Sequence, residues 1–215
     1  MNSSFFVFEE ILEELGAFLA IYGIIAFFAS CGSIALFVLQ GLGLFEMSKS
    51  LNLKNPWLSF IPIVWVFSLG RVGQQYVKQD GKQSAKFGKI MLILQIATII
   101  LSLIFMVVFV FAMISIIKNA NMAVEEEMAM TLKMFSSFIW VIMAYFILLA
   151  VAITFKVLYY IALWRTFSIF DYHNATLYTV LSIFFSFLSP IFLFIVRKKQ
   201  PKLTFEERIA TTIKN

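Results

Sequence analysis

The chain has 215 residues, of which 61% are apolar and 13% are charged, and its formal net charge is +5. Its mean hydropathy is +0.93. Soluble domains contain about 45 to 50% apolar and about 25% charged residues, so this composition excludes a water-soluble globular protein and predicts an integral membrane protein. The basic residues flank apolar runs instead of forming a basic domain, which argues against a nucleic-acid partner.

The first predicted element is a membrane span over residues 17–44, a run without Asp, Glu, Lys or Arg. About 20 apolar residues are enough to cross a bilayer, so the run is long enough. Small side chains recur along it at three- or four-residue steps or multiples of them, including Ala20, Gly23, Ser30 and Ser33. This spacing puts them on one helix face and predicts a packing face for another helix of this chain or of a second subunit.

The second predicted element, residues 56–70, is apolar but short. It contains three residues that mark its shape: Pro56, Trp57 and Pro62. The 16 residues between Lys54 and Arg71 would reach only about 24 Å as a helix, and Pro62 disfavours a straight one. We therefore predict a re-entrant or strongly tilted element that returns to the side from which it came.

Two further apolar runs predict spans over residues 90–117 and 134–164. The last run, 176–196, has two interpretations. It is long enough to cross, but Pro190 could instead break it and turn the chain back. The sequence thus predicts an all-α polytopic membrane protein with three to five spans and one or two short proline-containing elements.

The distribution of charge predicts an orientation. Lys and Arg concentrate in residues 71–89 and in the tail, residues 197–215, whereas glutamates dominate residues 9–14 and 125–127. Basic residues near membrane-spanning ends concentrate on the cytoplasmic side. We therefore expect the N-terminus outside and the basic tail inside.

Lys156 is the one charged residue well within an apolar run. An ionisable side chain at membrane depth indicates a functional site, and the polar residues Gln40, Gln95, Thr98 and Ser102 could line a cavity with it. In the alternative interpretation the ammonium group reaches the membrane surface beside an aromatic belt of Tyr159, Tyr160 and Trp164. The four polar residues would then form ordinary hydrogen bonds between helices.

The inventory of reactive side chains argues against an enzyme. His173 is the only histidine, so no two-histidine metal motif can be formed. The sequence also contains no nucleophile elbow and no phosphate-binding loop of the Walker type. We predict no catalytic residue, no metal ligand and no cofactor.

The segment Lys54-Asn55-Pro56-Trp57, followed by Ile61-Pro62, resembles a recurring segment of small, uncharacterised bacterial multi-pass membrane proteins. The resemblance implies a bacterial cytoplasmic membrane and no particular reaction. The chain departs from that pattern after Pro62, where an Asn-containing polar turn is expected and residues 63–66 are Ile-Val-Trp-Val.

Two functions fit these features. The first is a non-enzymatic accessory, assembly or immunity-type subunit that acts through intramembrane contacts with another membrane protein or a second copy of itself. The second is a small transporter or permeation component, in which broken elements surround a central polar site near Lys156. In both cases the lipid bilayer is the immediate partner.

Overall fold

The computed structural model describes residues 3–78, 86–120 and 127–202. This part of the chain is helical and contains no strand, which confirms the all-α prediction. Six α-helices and one 3₁₀ helix follow in chain order: α1 Ser3–Ser50, the 3₁₀ helix Pro56–Phe60, α2 Trp65–Lys78, α3 Phe87–Ala120, α4 Glu127–Phe170, α5 Ala175–Phe184 and α6 Leu188–Val196.

Among the described helices, α1, α3 and α4 are long and apolar enough to cross a membrane. The segments that meet this criterion are Phe18–Ser50, Phe87–Ser115 and Phe138–Phe170. In each segment, no residue of the most apolar stretch is buried in protein. Helices with apolar side chains on all faces are stable when lipid surrounds them. The protein is therefore an all-α polytopic membrane protein, and α1 and α4 continue past the predicted limits of 44 and 164.

The buried side chains gather at one end of the three long helices. This compact end comprises residues 40–78, 86–98 and 155–202, and its fully buried members include Leu44, Leu69, Leu163 and Phe167. Above it α3 and α4 continue to pack together, with the Phe105 and Tyr145 rings 6.2 Å apart. Helix α1 packs on the 3₁₀ helix, α2 and α6, and makes no extended contact with α3 or α4.

The predicted short element 56–70 is a hairpin rather than one helix. Residues 54–78, which we call the first hairpin, run back along α1, where the Phe60 ring lies 5.7 Å from that of Phe45. They turn at residues 61–64 and return as α2, where Arg71 Nη1 donates to the Lys54 carbonyl oxygen at 2.6 Å. With 14 residues, α2 reaches about 21 Å, too short to cross.

The prolines explain the shape of the first hairpin. Pro56 begins the 3₁₀ helix, where its missing N–H is not needed. Pro62 lies in the turn between the two helices, and Trp57 remains 55% exposed. The predicted end at residue 70 is too early, because α2 continues through Arg71 to Lys78.

The run 176–196 also forms a hairpin, made of α5, a turn at residues 185–187 and α6. We call residues 171–202 the second hairpin. Its ends meet: Lys199 Nζ is paired with Asp171 Oδ2, and the Lys202 N–H donates to the Ile169 carbonyl oxygen at 2.7 Å. The chain therefore turns back, as one of the two interpretations predicted. The turn precedes Pro190, which occupies the first turn of α6, where proline is tolerated.

Both hairpins are seated through glycines. A Cβ atom on Gly70 would lie 2.6 Å from Gly88 Cα, so α2 and α3 are in backbone contact. A Cβ atom on Gly43 would lie 2.8 Å from the Leu193 backbone, which brings α6 equally close to α1. Glycine permits this approach because it has no side chain.

The acidic side chains of residues 9–14 and 125–127 and the tail from residue 203 lie outside the described residues.

Candidate functional site

A cavity of about 450 Å³ lies at the upper edge of the compact end, and we call it the Lys156 cavity. All six α-helices contribute to its wall. The polar wall residues are Gln40, Gln95, Thr98, Lys156, Ser182 and Ser186, and the aromatic ones include Trp65, Phe155 and Tyr159. Its volume and mixed lining are typical of small-molecule sites, which are mostly apolar with a few polar groups.

The structure brings Lys156 together with Gln40, Gln95 and Thr98 on the wall of this cavity, whereas Ser102 is not part of the wall. Gln95 and Thr98 are three residues apart on α3, so they share one face of that helix. Lys156 faces them from α4, beside Ala152 and Tyr159 on the same helix face. Their role in binding a ligand stays a prediction.

The surroundings of Lys156 differ from the predicted aromatic belt. Tyr159, Tyr160 and Trp164 pack against the buried core of the compact end instead of forming an exposed ring of side chains. The Tyr159 ring makes an edge contact with Trp65 at 6.0 Å, and Lys156 Nζ lies 5.9 Å from the centre of the Tyr159 ring. The aromatic residues therefore form a wall beneath the ammonium group.

Gln40 contributes an unusual group to the cavity. Gln40 is only 7% exposed, and its side-chain Nε2 has no hydrogen-bond partner among the described residues. Two hydroxyl groups of the cavity wall are paired: Thr98 Oγ1 donates to the Leu94 carbonyl oxygen at 2.8 Å, and the Tyr159 hydroxyl oxygen is 2.6 Å from that of Ser189. An unpaired buried donor is uncommon and calls for an acceptor.

Sequence reasoning did not assign Trp65, Ser182 or Ser186 to the site. The signal for the two serines was present, since they lie four residues apart in an apolar run just before Pro190. That spacing puts both on one helix face next to a break. Trp65 gave no such signal, because only the turn of the first hairpin carries it to the cavity.

The base of the second hairpin is held by Asp171. Its Oδ2 accepts from Asn174 Nδ2 at 3.2 Å and from the Tyr178 hydroxyl at 3.3 Å, in addition to its ion pair with Lys199. Burial alone would raise the pKa of Asp171, but these hydrogen bonds and the Lys199 charge outweigh burial and lower the pKa below its usual value. The carboxylate is thus ionised and fixes the return of the chain.

The predicted packing face of α1 has no helix opposite it within the described chain. Ala20, Gly23, Ser30 and Ser33 are all exposed, and a Cβ atom on Gly23 would meet nothing within 4 Å. The two serine hydroxyls donate to carbonyl oxygens of their own helix, at 2.7 and 2.9 Å. The face is therefore available to a partner, but its polar groups do not require one.

The fold and the cavity define a class: an all-α polytopic membrane protein with two returning hairpins and a partly open cavity that has a mixed apolar and polar lining. No family model, curated protein or solved structure matches the chain. Within the described residues, no group of three or more His, Cys, Asp or Glu side chains is placed to hold a metal ion.

Proposed function

We propose that the protein is a small, non-enzymatic membrane transport or permeation component, and that the Lys156 cavity is its solute site. The observation that carries this proposal is the position of Gln95, Thr98 and Lys156 on the wall of one cavity between two broken elements. Transporters commonly place their binding sites between discontinuous helices near the middle of the membrane.

Both hairpins support the proposal because their turns reach the cavity. Trp65 follows the turn of the first hairpin, while Ser186 lies in the turn of the second. Backbone that is not regular helix is tolerated at membrane depth where protein or water covers it. Two such turns beside one polar cavity are typical of a site that changes its access by moving short elements.

The test is the accessibility of the cavity to water from each face of the membrane. Thr98→Cys, in a Cys31→Ser background, is reconstituted in sealed vesicles and treated with a membrane-impermeant maleimide applied from one side or the other. We expect modification from both sides, because a transport site opens alternately to each. Ile100→Cys is the matched control, since Ile100 lies on the same helix, is 51% exposed and does not line the cavity.

Failure of Thr98→Cys to react from either side would contradict the proposal. Reaction from one side only would describe a binding site without a pathway, and would favour the second candidate function below. Equal reaction of Ile100→Cys would show that the reagent reports general exposure of α3 rather than the cavity.

We also propose a bacterial cytoplasmic membrane with the compact end on the cytoplasmic side. Lys49, Lys54, Lys89 and Lys198 are exposed at that end, and both hairpins return to it. The positive-inside rule supports this orientation. Asn52→Cys and His173→Cys should react from the same, cytoplasmic face, and labelling from opposite faces would overturn the topology.

A second candidate function is an accessory, assembly or immunity-type subunit that binds another membrane protein or a second copy of itself. The exposed small-residue face of α1 favours it, because close helix approach in lipid depends on such residues. Crosslinking at Gly23→Cys in native membranes would test it. Recovery of monomers alone would count against it.

A further inference from the structure

The charges of the compact end leave Lys156 without a counter-ion. Glu46 and Asp171 are the only carboxylates among the described side chains. Glu46 Oε2 lies 2.9 Å from Arg197 Nε, and Asp171 is paired with Lys199. Lys156 forms no ion pair within the described part of the chain, so its charge is available to a group from outside.

Gln40 gives an independent indication of the same ligand chemistry. Its buried and unpaired Nε2 is a hydrogen-bond donor in the wall of the same cavity. A donor with no acceptor and a cation with no anion both favour a ligand oxygen that carries negative charge. A cationic or purely apolar ligand would satisfy neither group.

The apolar surroundings indicate that this anion carries a hydrocarbon chain. Within the part of the chain that the structure describes, α1 makes no extended contact with α3 or α4, so close helix packing does not seal the cavity between α1 and these two helices. The chain neighbours of several wall residues are exposed apolar side chains: Ile96, Ile153, Val157, Phe185 and Phe187. A hydrocarbon chain could lie on this surface while its headgroup enters the cavity.

We propose that the Lys156 cavity binds the headgroup of an amphipathic anion, a carboxylate or phosphate attached to a hydrocarbon chain, which enters sideways from the membrane. This inference rests on the proposed function, because it names the class of solute for the same site. Lys156 pairs with the headgroup oxygen, Gln40 donates a hydrogen bond to it, and Trp65 and Phe155 contact the first carbons of the chain.

Trp65 provides the probe. A variant that keeps only this tryptophan, by Trp57→Phe, Trp140→Phe and Trp164→Phe, is reconstituted in phosphatidylcholine vesicles, and Trp65 fluorescence is quenched with brominated lipids. We expect half-maximal quenching by brominated phosphatidylglycerol or bromostearate at a mole fraction about fivefold lower than by brominated phosphatidylcholine, the preference typical of one lysine near anionic lipid. A preference for the phospholipid identifies a lipid headgroup, and a preference for bromostearate identifies a free carboxylate.

Substitutions then assign the preference to the cavity. Lys156→Gln should abolish it and Lys156→Arg should keep it. Lys49→Gln should also keep it, because Lys49 is exposed at the compact end and is not part of the cavity wall. Gln40→Leu, which preserves most of the side-chain volume, should reduce the preference without removing it.

Equal quenching by all the brominated lipids, or a preference that persists in Lys156→Gln, would overturn this inference. Inorganic phosphate could also compete with the brominated lipids. If it protects Trp65 from quenching as well as unbrominated anionic lipid does, the requirement for a hydrocarbon chain is overturned. These outcomes are separable from the cysteine test. If the quenching test shows no anion preference but Thr98→Cys reacts from both faces, only the proposed ligand class is wrong. If the quenching test shows an anion preference but Thr98→Cys reacts from one face, only the proposed transport is wrong.

Discussion

The two hairpins have the same path but are stabilised differently. The first is covered by protein along α2: Val66, Leu69 and Val72 are fully buried, and the helix lies in backbone contact with α3 at Gly70. The second exposes much of α5 and its turn, with Phe184 76% exposed, and an ion pair closes its base. Covered backbone can be irregular, whereas exposed backbone in lipid must satisfy its own hydrogen bonds.

The turns of the two hairpins also differ. In the second hairpin the turn is short, and the N–H groups of Phe185 and Leu188 donate to the carbonyl oxygens of Leu181 and Phe185. The first hairpin has a longer turn, in which Ile63 adopts a φ of 72°. A β-branched residue in this region is strained, and such strain persists where the surrounding structure enforces it. Both hairpins thus have glycine contacts and local turn bonds, and they differ in the ion pair at the base of the second hairpin and the strained residue in the turn of the first.

The largest effect is expected where the first hairpin is in backbone contact. Gly70→Leu should destabilise the protein by about 3 kcal/mol or more, because the side chain would force α2 away from α3. Thermal unfolding in detergent, followed by circular dichroism, measures the change. Gly23→Leu is the matched control, since nothing lies within 4 Å of Gly23. If the two variants unfold alike, backbone contact does not seat this hairpin.

The ion pair of the second hairpin should have a smaller effect. Asp171→Asn should cost about 1.5 kcal/mol at neutral pH, a modest value because water screens the partly exposed Lys199. The pKa of Asp171 is lower in the folded protein, so its contribution is complete above the ordinary value of 3.8 and disappears as pH falls through the lower folded value.

Unfolding temperatures of the wild type and Asp171→Asn should therefore converge as the pH is lowered below 3.8. A double-mutant cycle with Lys199→Ala separates the ion pair from the bonds that Asn174 and Tyr178 donate. A constant difference at every pH would mean that ionisation of Asp171 does not hold the base of this hairpin.

One hydrogen bond connects α4 to the start of α6 in the second hairpin. Tyr159→Phe removes the hydroxyl that lies 2.6 Å from Ser189 Oγ and should cost about 1 kcal/mol. Tyr145→Phe on the same helix is the control, because no hydrogen bond of the Tyr145 hydroxyl is present within the described residues. Equal stability of both variants in chemical denaturation would argue against a role for this bond.

The smallest effect should be a gain in stability at the turn of the first hairpin. Ile63→Gly should stabilise the protein by about 0.5 kcal/mol, because glycine adopts a positive φ without strain and Ile63 is already 42% exposed. Ile93→Gly, at an exposed position inside α3, should destabilise instead. A loss of stability in Ile63→Gly would show that packing of the isoleucine outweighs its strain.

Sequence reasoning reached some parts of this molecule and missed others for identifiable reasons. The three long helices and the return at residues 56–70 followed from run length, Pro62 and the positions of Lys54 and Arg71. The choice between crossing and returning at residues 176–196 did not follow, because its length permits both. The turn at residues 185–187 and the contacts that join the two ends, Asp171 with Lys199 and Lys202 with Ile169, decide it.

The sequence by itself determined the solvent, the helical class and the three helices able to span, because hydropathy and charge act residue by residue along a helix. It also singled out Lys156, Gln95 and Thr98 as polar residues in apolar runs. Only the tertiary structure decided that Trp65, Ser182 and Ser186 join them in one cavity. These residues are far apart in the chain, and glycine contacts and the two turns, rather than any local pattern, bring them together.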